Sequence, residues 1–70
     1  MALASIFDVG ERLKNKFVGK FGIASVIVME NMGIIRVFFN RDLLTMKEYE
    51  LSNLVAKNAD PFGIVFIPEP

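Results

Sequence analysis

The sequence has no cysteine, no histidine and no tryptophan, and its acids and bases cancel to zero net charge. Each absence removes a class of explanation. Without cysteine there is no disulfide and no thiolate metal site. Without histidine there is no imidazole ligand, no His-based triad and no His general base. A metal site would need carboxylates alone, and no Asp-rich loop with EF-hand spacing is present. Glycines at 10, 19, 22, 33 and 63 match neither a phosphate-binding loop nor a dinucleotide fingerprint. The segment Gly19-Lys20-Phe21-Gly22 lacks the Lys-Ser/Thr pair and the preceding strand that a phosphate loop requires. Glu48 and Glu50, two apart on an expected helix, point in different directions and do not form a carboxylate pair. The reading is a non-enzyme with no cofactor and no metal. No apolar run approaches the roughly 18–20 residues of a membrane span. The apolar start, Met1 to Phe7, has no basic residue before it, which argues against a secretory signal. The expected location is the cytoplasm.

What is present is apolar and compact. Hydrophobic residues make up 53% of the 70, seven of them Phe. The norm is roughly 45–50% even with glycine counted. A chain this short forms one domain and buries only about 60% of its unfolded surface. Disulfides and metals being excluded, association is the remaining support for a small core. The domain is expected over residues 1–67, with 68–70 as a tail behind Pro68.

Residues 3–21 carry Leu3, Ile6, Phe7, Gly10, Leu13, Phe17 and Phe21 at helical spacing, with Val9 and Val18 at the edges of the apolar arc. Gly19 or Gly22 can end that helix in a left-handed conformation. Residues 23–30 and 34–40 are rich in β-branched and aromatic side chains and read as two strands. Glu30-Asn31-Met32-Gly33 suits a type I turn with Gly33 left-handed, which makes the pair a hairpin. Thr45-Met46-Lys47-Glu48 matches a capping box, so a second helix is expected over 46–58 with Leu51, Leu54, Val55 and Ala59 as its stripe. Pro61 closes it. Residues 62–67 form a third strand.

The fold class is α+β: a two-layer α-β-β-α-β domain with both helices on one face. The element order resembles a ferredoxin-like domain without its first strand, a likeness that implies no function. The crossover helix makes the third strand parallel to the second, and it can lie beside the second strand or skip over to lie beside the first. Arg36 and Asn40 suit an edge, so the expected order is 2-1-3, all antiparallel, with the first strand central. The turn sets Met29 against Ile34, Val28 against Ile35, Val26 against Val37 and Ala24 against Phe39. Alternation then gives one face holding Ala24, Val26, Val28, Ile35, Val37 and Phe39, which the helices cover.

The other face holds Ile23, Ser25, Ile27, Met29, Ile34, Arg36, Phe38 and Asn40. A solvated face should be polar, and this one is mostly apolar. Ile23, Ile27, Met29, Ile34, Arg36 and Phe38 are therefore the expected interface. The expectation is a homodimer closed sheet on sheet or sheet edge on sheet edge, or a complex with another protein, acting as an adaptor, inhibitor or assembly factor. In such an interface Arg36 needs a carboxylate partner, for which Glu30 is a candidate, or a position at the rim. An accessory protein of a phage or virus that inhibits a host protein is an alternative suggested by length alone. Met46, Tyr49 and Asn53 share an angle on the second helix and form a possible second recognition face. Arg12, Lys16 and Lys20 could contact phosphates, giving a nucleic-acid-binding alternative, although a pI of about 6.1 suits it poorly.

Overall fold

The computed structural model describes residues 5–70. Two helices and three strands follow in the order α1 (Ile6–Phe17), β1 (Ile23–Met29), β2 (Ile34–Phe39), α2 (Glu48–Ala59) and β3 (Gly63–Pro68). Single 3-10 turns, Glu30–Met32 and Arg41–Leu43, follow β1 and β2. The α+β class is as expected from the sequence.

Helix α1 starts at a capping box. The Asp8 N–H donates to Ser5 Oγ (3.1 Å), and the Ser5 N–H donates to Asp8 Oδ2 (3.3 Å). Together these satisfy orphan donors at the helix start. Its buried face is Ile6, Val9, Gly10, Leu13 and Phe17. The arc is thus centred nearer Val9 than the sequence suggested, which leaves Phe7 51% exposed. The expected start at residue 3 lies outside the described residues. The expected end at Phe21 is corrected to Phe17, because Gly19 (φ +82°), Phe21 (φ +56°) and Gly22 (φ +89°) turn the chain out of the helix. Phe21 still packs on the core, from this loop, with its ring centroid 6.2 Å from that of Phe17.

Strands β1 and β2 pair antiparallel around Gly33, which is left-handed as expected at φ +64°. Met29 faces Ile34, Val28 faces Ile35 and Val26 faces Val37, as the turn implied. The last expected pair is corrected: a bulge between Ile23 and Ser25 sets Ile23, not Ala24, opposite Phe39. A bulge changes which residues face each side. The reason lies in the preceding loop, where the Gly19 N–H donates to the Ile23 carbonyl and the Ile23 N–H donates to that of Lys20, both at 2.9 Å.

The sheet order is β1-β2-β3, with β3 parallel to β2. This corrects the all-antiparallel 2-1-3 arrangement. Arg36 and Asn40 do not mark an edge: a strand residue such as Arg36 projects out of the sheet plane, whereas an edge is defined by unpaired backbone, and Asn40 lies beyond the end of β2. Helix α1 already lies over β1, with Gly10 against Val28. Helix α2 therefore takes the space beside it, and the chain returns as the neighbour of β2. Ile35, Val37 and Phe39 are consequently sealed from solvent, and Phe39 stacks on Phe66 of β3 with centroids 4.3 Å apart. The ladder continues past Pro68, where the Glu69 N–H donates to the Phe39 carbonyl at 2.8 Å.

The second helix begins at Glu48, and its N-cap, Lys47, makes no side-chain cap bond. The expected Thr45 capping box is thereby corrected. Glu48 is drawn instead to Arg41, its Oε1 3.5 Å from the Arg41 Nε. The stripe of α2 matches expectation, with Leu51, Val55 and Ala59 buried and Leu54 packed beside them.

Candidate functional site

Alternation along three paired strands leaves an outer face that neither helix covers. Reading the register across the sheet gives three rows: Met29, Ile34, Gly63; then Ile27, Arg36, Val65; then Ser25, Phe38, Ile67. Apart from Gly63, Ser25 and Arg36 every position is a large apolar side chain. Ile27 is 48% exposed and Val65 40% exposed, while Met29, Ile34, Phe38 and Ile67 are half-buried by their neighbours alone. Adjacent strands are about 4.8 Å apart and alternate residues about 7 Å apart. The face is therefore roughly 10 Å wide and 14 Å long between outer Cα positions, by the same spacings.

Five of the six expected interface residues lie on this face: Ile27, Met29, Ile34, Arg36 and Phe38. Ile23 does not. The bulge turns it into the core, where it is 2% exposed. Sequence reasoning missed Val65 and Ile67 by name, because a residue's face on β3 depends on which strand it pairs with. Among the described residues Arg36 makes no ion pair, and Glu30 stays exposed in the hairpin turn. The nine positions contain no acid.

The other expected sites are placed as follows. Arg12 and Lys16 both reach the end of α2: Arg12 Nη2 donates to the Asn58 carbonyl (3.2 Å) and Lys16 Nζ to Asn58 Oδ1 (2.8 Å). The Asn58 Nδ2 donates in turn to the Leu54 carbonyl (2.8 Å). Cations at a helix C-terminus meet the negative end of its dipole, so these two bind the helices together. Lys20 is exposed in the loop after α1. Tyr49 and Asn53 point outward from α2, Tyr49 being 63% exposed. Met46 precedes the helix and packs on the core, so it does not share their surface.

Among the described residues no polar or charged side chain is buried, and no three carboxylates lie close enough to hold a metal ion. No helix there is long and apolar enough to cross a membrane. No family model, no curated protein and no solved structure matches the chain.

Proposed function

We propose that this is a small non-catalytic interaction protein that works by docking another protein surface on its outer sheet face, as an adaptor, inhibitor or assembly factor does. One observation carries the reading: six large apolar side chains share a face that, among the described residues, no helix or strand covers. Contiguous exposed apolar surface of this kind marks an interface more often than it occurs idly. Water contact over such a face costs roughly 25 cal/mol per Å², which a docked surface recovers.

The test compares the wild-type chain with Ile27→Asp, measuring binding of an environment-sensitive apolar dye and mass by light scattering over a dilution series. The wild type should bind dye, or gain mass with concentration. Ile27→Asp should do neither while keeping the same circular dichroism. If both proteins stay monomeric and neither binds dye, the face is not an accessible docking surface and the proposal is wrong.

A further inference from the structure

The outer face has its only charge at its centre. Arg36 lies on the middle strand, with Ile27 and Val65 beside it and Ile34 and Phe38 above and below. It is already half-buried in the single chain. Whatever covers the face must therefore seal in a guanidinium. A buried cation without a paired anion is strongly unfavourable. The covering surface must bring a carboxylate to that point, since a fork of N–H donors matches a carboxylate in bidentate geometry.

A second copy does not meet this need. A two-fold contact that covers the whole face sets its middle against its own middle. Two Arg36 guanidiniums would then face each other, with no acid among the nine positions to separate them. Glu30 could reach a partner's Arg36 only if the copies slid along the strands toward the hairpin turn, and sliding uncovers part of the apolar face. The dimensions point the same way. A face roughly 10 Å wide fits one helix of about 10–12 Å diameter, and 14 Å spans about nine residues of helix.

Resting on the docking role proposed above, we infer that the outer face receives a single amphipathic helix of a different protein, with one Asp or Glu in the middle of its apolar stripe. The carboxylate seats on Arg36 and fixes the register. The apolar residues a turn to either side lie over Ile34 and Phe38. In the free protein Arg36 then has a second effect, since it disfavours closure of two identical faces.

The experiment is selection from a phage-displayed library of 16-residue helix-biased peptides, with the stripe positions randomised, against wild type, Arg36→Glu and Ile27→Asp. Peptides selected on wild type should carry Asp or Glu at one central stripe position. They should bind Arg36→Glu at least about tenfold more weakly, and selection on Arg36→Glu should favour Lys or Arg at that position. Ile27→Asp should lose them all. Peptides lost on Ile27→Asp but indifferent to Arg36→Glu would retain the docking face and overturn the carboxylate. No enrichment, or peptides that tolerate Ile27→Asp, would remove the face itself as a helix site. The mass of the same three proteins covers the remaining occupant. A wild-type dimer that Arg36→Glu breaks and Arg36→Glu/Glu30→Arg restores would assign the face to a second copy and overturn the inference.

Discussion

At Gly22 the backbone φ is +89°, and a Cβ there would lie 2.9 Å from the Leu43 carbonyl carbon and oxygen and from the Leu44 nitrogen. Both the dihedral and the space call for glycine, and the atoms in the way are backbone, which cannot swing aside. The Gly22 carbonyl also accepts the Asn40 N–H at 2.8 Å, so the loop cannot relax without losing that bond. Gly22→Ala should cost at least about 2 kcal/mol from strain and overlap together. Gly33 isolates the dihedral from the crowding: its φ is +64°, but nothing lies within 4 Å of its added Cβ. Gly33→Ala should cost only about 1–2 kcal/mol and Gly33→Asn less, because Asn tolerates the left-handed region. Urea titration of the three variants with unchanged m-values checks the ranking. Equal losses at the two glycines would show that the Leu43 contact adds nothing. Gly10 is a third case, being helical, so that Ala should favour α1 by about 1 kcal/mol. A Cβ there would overlap the Val28 Cγ2, however. Gly10→Ala should therefore destabilise, and should become less harmful in a Val28→Ala background.

Among the elements, the two helix starts differ in how openly the sequence showed them. Thr45-Met46-Lys47-Glu48 has the capping-box pattern, yet α2 starts at Glu48 with no side-chain cap. Ser5 and Asp8 form the working box on α1, with the shorter Asp in place of Glu. A motif names residues that can cap, while the path of the incoming chain decides whether they do. After β2 that path is a 3-10 turn, Arg41–Leu43, in which the Asp42 N–H donates to Asn40 Oδ1 at 2.9 Å, and α2 begins only beyond it. Ser5→Ala should cost about 1 kcal/mol and Thr45→Ala close to nothing, measured by the same titration. The reverse result would restore the Thr45 cap. Element types were otherwise legible, because periodicity and β-branching are local properties. The hairpin register was legible for the same reason, up to the bulge. The bulge was not, since it is imposed by hydrogen bonds of the 19–23 loop.

At the scale of the molecule, strand order was the part the sequence left open. Both arrangements satisfy the alternation of β1 and β2 and keep both helices on one face. The choice rests on which backbone edge receives β3, and side-chain type says little about that. The outer face is nevertheless largely as expected, because alternation along β1 and β2 is independent of strand order: Ile23 turns into the core, Asn40 falls beyond the end of β2, and Gly63, Val65 and Ile67 of β3 complete the rows. The order has a measurable consequence. Strand β2 has a neighbour on each side, so its N–H groups all point toward a paired strand. In β1 and β3, the outer strands among the described residues, alternate N–H groups face away from β2. Exchange of a paired amide requires opening of the structure, up to global unfolding in the core, whereas a free edge amide exchanges readily. Hydrogen exchange followed by NMR should therefore find its slowest strand amides across Ile34–Phe39, with fast and slow amides alternating along Ile23–Met29. Under a 2-1-3 order the pattern would move: β1 would be uniformly slow and β2 would alternate. Repeating the experiment with a peptide selected on the outer face sharpens the argument. A helix docked on that face covers side chains and leaves the β1 edge unpaired, so the alternation along β1 should persist. A partner that instead adds a strand to β1 would pair its free amides and erase it.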